Sequence, residues 1–320
     1  YRSSRGLGDV YKRQPSASRY GKGTHIRNLL EGIREGEKVV SILPLDRELI
    51  QNPKGHYIIF ATSQGRIKRS HLSDYVKINR NGKYALKFAK DSDSLVQVRP
   101  ATEEDHVVLV SSMGYACRFL PSEAKTRVDA ATGESVTTHT VRVQGRVSQG
   151  VAGMKLQSGD RVVGMIVTDD FDTSVLTISK HGMAKRSRLG SGSMVEIKLE
   201  DGTTAQGDDG APLMERDGYR KTNRGTKGVR TMALSDGDSI IGVRQIPDLS
   251  DQLFMLTEKG MMIRMPATQT KETLGKVTKG TRIMELRTKD KKSYADEIVF
   301  VARLPSDLVE RGDVESDGEE

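Results

Sequence analysis

The chain predicts an all-β, propeller-like architecture of short antiparallel four-stranded blades, with about five repeats visible. Two interleaved patterns and a scarcity of helical periodicity predict it. The first pattern, [Ser/Thr]-x-x-Gly-x-x-x-Arg, recurs as TSQGRIKR (62–69), SSMGYACR (111–118), SKHGMAKR (179–186) and TEKGMMIR (257–264). The second, Gly-x-x-x-[Leu/Met]-x-[Leu/Phe], starts at Gly82, Gly150, Gly228 and Gly280, with an irregular copy at Gly23. Helical spacing is nearly absent: residues 26–33 are the nearest candidate, and a short strand explains them as well.

Each copy of the first pattern follows a β-type run, HYIIFA, DHVVLV, TSVLTI or DQLFML. Strand, glycine turn, strand is the signature of a hairpin whose glycine takes a left-handed conformation. Each copy of the second pattern is followed by a polar turn and another strand-like run, such as RVVGMIV or SIIGVRQI. Successive hairpin glycines lie 49, 68 and 78 residues apart, so the connections lengthen along the chain. The extra length falls at 126–143 and 193–206, which alternate in polarity and predict added hairpins. Units of this length with four short strands cannot bury both faces alone, so neighbours must stack.

Composition bounds the function. The 320 residues suffice for a sizeable core, built from Val, Ile, Leu and Met because there is no Trp. No stretch approaches the eighteen or so apolar residues of a membrane helix, and the first residues lack the apolar segment of a signal peptide. The single Cys117 excludes an internal disulfide and fits a reducing compartment, so a cytoplasmic protein is expected. Gly-Lys pairs at 21–22, 82–83 and 275–276 are never followed by Ser or Thr, which excludes a phosphate-loop NTPase. The dinucleotide fingerprint is absent, the six histidines are scattered, and no acids pair on facing strands. No cofactor, metal or catalytic residue is expected.

Charge points to a polyanion. The formal net charge is +8, yet residues 306–320 carry −6, leaving +14 on the rest. A basic body with an acidic tail fits a polyanionic partner and an internal competitor for it; a solubilising tail is the plainer reading. The basic residues recur at corresponding repeat positions. In the hairpins they are Arg66, Lys68 and Arg69, Arg118, then Lys185, Arg186 and Arg188, then Arg264. Before the glycine elements stand Lys22, Arg80, then Arg220, Lys221, Arg224 and Lys227, then Lys276 and Lys279. DNA carries one charge per ~1.7 Å of duplex axis, so such a series predicts sequence-tolerant phosphate contacts, with Gly225 and Gly228 giving backbone amides access. The recurrent arginines have a second reading. Period 2 puts them on the side of Ile67, Ala116, Ala184 and Met262, where they serve structure. Both readings stand for Arg118 and Arg264, whereas Lys68, Lys185 and the 220–227 cluster are expected at the surface.

These motifs, in this order over residues 19–304, resemble the C-terminal domain of the A subunit of bacterial DNA gyrase. The resemblance implies a β-pinwheel, with strands exchanged between neighbouring blades, that wraps duplex DNA around a basic rim with positive handedness. It supports ATP-dependent negative supercoiling in an assembly of two A and two B subunits. Cleavage and ATP hydrolysis lie elsewhere in that assembly, so the chain reads as a noncatalytic part of an isomerase, near the nucleoid. The family's Q-R-R-G-G-K-G box is matched in part by TNRGTKG (222–228), which keeps Arg224, Gly225, Lys227 and Gly228. The full box belongs to a first blade, and the chain reads as starting at the second. Residues 1–17 match nothing in the family; the β-pinwheel is placed at 18–305 and a disordered tail at 306–320. The acids Glu200, Asp201, Asp208, Asp209, Glu215 and Asp217 of the insertion stand to weaken DNA binding nearby. The corresponding domain of topoisomerase IV is the alternative, and a propeller-like protein-interaction scaffold is the alternative of another class.

Overall fold

The computed structural model describes residues 39–77, 82–128, 133, 135–199, 201–273, 278–288, 290 and 293–307. The Gly23 copy, residues 1–17 and 26–33, the acidic tail beyond 307, Glu200, Arg80, Lys22 and Lys276 lie outside them. The regular structure of the described residues is almost entirely antiparallel β, as the repeats predict.

Each predicted hairpin is present. They are β1 (Tyr57–Thr62) with β2 (Arg66–His71), β4 (His106–Ser111) with β5 (Tyr115–Phe119), β10 (Ser174–Ser179) with β11 (Met183–Arg188), and β16 (Gln252–Thr257) with β17 (Met262–Pro266). The recurring spelling of the turn has a local cause. The Ser or Thr that ends the first strand forms a bulge against its outer neighbour at Thr62, Ser111, Ser179 and Thr257. Its hydroxyl accepts the N–H four residues on, from Arg66, Tyr115, Met183 and Met261, at 3.1–3.4 Å. That bond satisfies a donor that the tight turn would otherwise strand. The turn glycines, Gly65, Gly114, Gly182 and Gly260, all have φ between +77° and +83°, the region that L side chains avoid.

The outer neighbour of each hairpin is the next long strand: β3 (Leu95–Ala101), β9 (Val162–Thr168), β15 (Ile240–Ile246) and β19 (Ile298–Leu304). On the other side sits a two-residue strand taken from a later glycine element: β8 (Val151–Ala152), β14 (Val229–Arg230) or β18 (Thr281–Arg282). The sheet orders are therefore β3-β1-β2-β8, β9-β4-β5-β14 and β15-β10-β11-β18, while β19-β16-β17 has three strands among the described residues. Both insertions form the predicted hairpins. One is β6 (Ala124–Val128) with β7 (Ser135–His139); the other is β12 (Met194–Glu196) with β13 (Met214–Arg216), extended by bridges at Lys198–Thr204 and Gln206–Pro212.

The described residues divide into two compact units, one within 39–62, 66–103 and 121–151, the other within 63–65, 104–120 and 152–307. In the first, two short helices missing from the sequence reading, α1 (Arg47–Gln51) and α2 (Ser73–Val76), cover the first hairpin. Leu45, Leu49, Tyr75 and Val76 pack on Ile58, Phe60 and Leu72. At four or five residues, both helices are too short to show a 3.6-residue period.

In the second unit the sheets stack face to face. One apolar layer joins Val108, Val110 and Ile166 to Val175, Ile240 and Val243; the next joins Leu176, Ile178 and Ile246 to Leu253, Met255 and Val301. Removing one such side chain to Ala costs about 2–5 kcal/mol in a well-packed core. Two glycines set the closest approach: Gly164 faces the Val243 side chain, and Gly242 faces that of Val301. A Cβ at either would stand 3.0–3.1 Å from the valine, so β9, β15 and β19 lie as near one another as glycine permits. The inner hairpins are covered on both faces, and period 2 fails in them: β1, β4 and β10 are buried at every residue.

Candidate nucleic-acid interface

The site grows out of the strand exchange. Each incoming element begins with a glycine of φ +70° to +79° (Gly150, Gly228, Gly280). A Cβ on these residues would come within 2.5 Å or less of the Ile67, Ala116 and Ala184 carbonyl oxygens of the receiving hairpin. The hairpin glycine meets the same element again. Gly65 O accepts from Gly153 and Met154, Gly114 O from Thr231 and Met232, and Gly182 O from Ile283. Both patterns need glycine because two backbones touch there.

The residue three after the hairpin glycine binds, from inside, the glycine element that follows its own hairpin in the chain. Lys68 Nζ donates to Ala85 O at 2.6 Å and to Arg146 O at 2.5 Å. Lys185 Nζ donates to Thr231 O at 2.7 Å, and the Cys117 sulfur lies 3.8 Å from Gly153 O and 3.5 Å from Asn223 O. Lys68 and Lys185 are 0% and 2% exposed, so neither is the surface residue that the sequence suggested. Burial pulls both ammonium groups down to about 8.

The recurrent arginines, one residue further on, are also internal in three hairpins. Arg69 lies over the Tyr57 ring and pairs with Glu103 at 2.7 Å. Arg118 donates through one nitrogen to the carbonyls of Leu189, Gly190 and Tyr219 at 2.7–2.9 Å, which staples both ends of the second insertion. Its burial pulls the guanidinium down to about 10, with Asp217 opposing. Arg186 holds Thr270 O and Glu272. Arg264 is exposed and bonds Gln252. The structural reading therefore holds for Arg118, and extends to Arg69 and Arg186, which the charge pattern had placed on the DNA side. The physical reason is that stacked neighbours close off both faces of these strands.

Other expected contact residues divide in the same way. Arg66 is half-buried and holds Gln149 O and Gly150 O at 2.8 Å. Arg188 is exposed, with its charge matched by Asp172 and Asp217. Arg224 donates to Ala152 O at 2.6 Å, and burial pulls its guanidinium down. The Gly225 amide is taken by Gly153 O, and the flank of Gly228 by the Ala116 carbonyl. Both glycines thus lie against the protein's own backbone.

What faces solvent is the loop before each glycine element. Arg220, Lys221, Lys227 and Arg230 are exposed. Arg220, Lys221, Thr222, Asn223, Thr226, Lys227 and Gly228 line one open depression. Lys227 and Arg230 flank the Tyr115 ring at 4.2 and 5.3 Å, and their hydrogen bonds pull its phenol below its usual range. In the first unit a matching depression is lined by Arg66, Lys87, Arg142, Gln144, Ser148 and Gly150, among others. Arg142 was missed from sequence, and so was Arg146. The signal was there: they stand eight and four residues before Gly150, as Arg220 and Arg224 stand before Gly228. Lys279 is exposed just before Gly280. No group of three metal-ligating side chains occurs among the described residues, nor any helix long and apolar enough to cross a membrane.

Fold and site together define a class: a bladed β domain with strands exchanged between sheets and a basic loop beside each exchange. The family model described as DNA gyrase C-terminal domain, beta-propeller, matches residues 15–46, 56–102, 135–169, 173–191, 214–247 and 251–304. The chain belongs to that family. It is 29% identical over 284 residues to the A subunit of DNA gyrase from Staphylococcus epidermidis, covering 87% of this chain and 26% of that protein. The A subunit of DNA gyrase from Rickettsia prowazekii is 29% identical over 316 residues, covering 89% and 32%. The chain thus spans about a quarter to a third of the curated relatives it matches. The fold is similar to a crystal structure of the C-terminal domain of DNA topoisomerase IV, with TM-score 0.66, 19% identity and 93% of this chain and 76% of that chain covered. It is also similar to a DNA gyrase A C-terminal domain, with TM-score 0.54, 20% identity and 78% and 66% covered.

Proposed function

We propose that this chain is the noncatalytic DNA-binding region of a gyrase-type A subunit, bending duplex DNA along its basic loops. One observation carries the reading: exposed arginines and lysines recur in the loops before the strand-exchange glycines, eight residues ahead at Arg142 and Arg220 and one residue ahead at Lys227 and Lys279, with Lys221 beside Arg220. A polymer of regularly spaced phosphates is the partner that a repeated, sequence-blind row of cations fits. The basic body without its acidic tail, at +14, supports the same partner. Cleavage of DNA and use of ATP then belong to other parts of the assembly, a remaining A-subunit region and a B subunit, in the bacterial cytoplasm at the nucleoid.

Binding of a plain duplex, measured by fluorescence anisotropy at several salt concentrations, tests this. Affinity should fall with salt by ~0.9 log units per log unit for each phosphate neutralised. Replacing Arg220, Lys221 and Lys227 by Ala should flatten that slope by about 3. Affinity indifferent to salt would refute the reading and favour a protein-interaction scaffold. Wrapping is tested by religating nicked circles on the protein: a positive shift in linking number is expected, and unshifted topoisomers would refute it.

A further inference from the structure

A narrow cleft of about 50 Å³ lies at the root of the second insertion. Four arginines line it, each brought by a different segment: Arg188 by the end of β11, Arg216 by β13, Arg220 by the loop after the insertion, and Arg230 by β14. Lys185 lines it as well, and Tyr219 and Val229 supply apolar wall. Among the described residues no acidic side chain lines it, although residues 193–217 carry seven acids against two bases. Glu272, next to the cleft in sequence at Thr273, is taken by Arg186 at 2.7 Å. Asp217 accepts the Ser191 amide and, with Asp172, matches the charge of Arg188.

The other arginines are fixed without being neutralised. Arg216 holds Gly192 O at 2.7 Å and Arg230 the Tyr115 hydroxyl at 3.0 Å, uncharged partners that orient a guanidinium and leave its charge in place. The backbone that carries Arg188 and Arg220 is clamped from behind. Tyr219 N–H donates to Leu189 O at 2.9 Å, and Arg118 binds the carbonyls of Leu189, Gly190 and Tyr219. Gly218, at φ +71°, permits that crossing, since a Cβ there would stand 2.2 Å from Leu189 O. Cations held apart in this way favour an anion that needs no rearrangement of the site.

Size selects the anion. At about 10–15 Å³ per water the cleft takes roughly three to five waters, the bulk of one tetrahedral oxyanion, whereas a cavity that takes an aromatic ring runs to about 150 Å³. Guanidinium forks from several directions suit phosphate oxygens, which accept paired N–H donors. We infer that this cleft binds one phosphate group, presented by the backbone of a duplex or by a small free phosphate. Arg220 lines both this cleft and the open depression of residues 220–228, so the two adjoin. The duplex form rests on the DNA-binding reading above; the free form does not.

Titration calorimetry of the full chain with sodium phosphate, against sodium chloride at matched ionic strength, tests the site. Saturable binding is expected, and Arg216→Ala should weaken it by about 10- to 100-fold, the loss of a charged hydrogen-bond donor. Arg220→Ala should do likewise, each variant keeping the wild-type circular dichroism spectrum. Lys198→Ala removes an exposed charge from the same insertion outside the cleft and should leave phosphate binding unchanged. The source is read from duplex binding: a salt slope flattened by about 1 in Arg216→Ala assigns the phosphate to the duplex, and an unchanged slope assigns the site to a free phosphate. Absence of saturable phosphate binding by the wild type would overturn the inference. So would full binding by Arg216→Ala, or a loss in Lys198→Ala as large as in Arg216→Ala. Duplex affinity indifferent to salt would instead sink the DNA-binding reading and leave the phosphate site standing.

Discussion

Gly228→Ala, set against Gly237→Ala, isolates the contact on which the strand exchange rests. Both glycines have left-handed backbones, at φ +79° and +73°. Alanine in that conformation costs about 1–2 kcal/mol at either position. Around Gly237 nothing lies within 4 Å of the new Cβ, so the cost ends there. At Gly228 the new methyl overlaps the Ala116 carbonyl, a backbone atom that cannot rotate away. The β14–β5 pairing must open, loosening Val229 from Ala116 and Arg230 from Tyr115, and straining the Thr231 amide on Gly114 O. Two hydrogen bonds at about 1 kcal/mol net each add roughly 2 kcal/mol. Gly228→Ala should therefore cost about 3–4 kcal/mol and Gly237→Ala about 1–2. In urea unfolding followed by circular dichroism, with a slope near 2 kcal/mol/M, the two midpoints should differ by about 1 M. Equal midpoints would refute the claim that the glycine is required by backbone contact.

Two further predictions concern buried titrating groups. Burial pulls Lys185 down to about 8, against 10.5 unfolded, so between those values the unfolded chain holds a proton that the folded chain has lost. Stability then rises with pH across pH 8–10.5. The wild type should gain on the order of 1–3 kcal/mol relative to Lys185→Met over that window; parallel pH curves for the two proteins would refute the assignment. His106, packed edge-on against Phe171, is pulled to about 4 by burial and then by Arg118 and Lys221. Stability should fall as pH drops from 6.5 to 4, by on the order of 2–3 kcal/mol, and His106→Gln should remove most of that fall. A variant as acid-sensitive as the wild type in thermal melts at each pH would rule the histidine out.

Much of the fold was legible because its rules are short-range. The Ser or Thr of each hairpin turn acts on an N–H four residues away, and its glycine answers a local demand for positive φ. The inserted hairpins were legible from alternation, since β6–β7 and β12–β13 are largely exposed. The site was less so. Lys68, Lys185, Arg69 and Arg186 read as surface cations because they sit in polar, basic runs, yet each ends beneath a neighbouring element that binds it through backbone carbonyls or an acid. Carbonyls leave no trace in composition, so nothing near those lysines announced their partners.

Sequence alone determined the repeated unit: where its turns fall, which glycines it needs, and that its charge is basic outside an acidic tail. Tertiary structure decided which cations face water. That choice depends on which later element covers each hairpin, and the covering strand comes from some eighty or more residues downstream, β8 for β2 and β14 for β5. Pairing at that distance is set by backbone contact at glycines and by stacked faces. A charge pattern read along the chain cannot contain it.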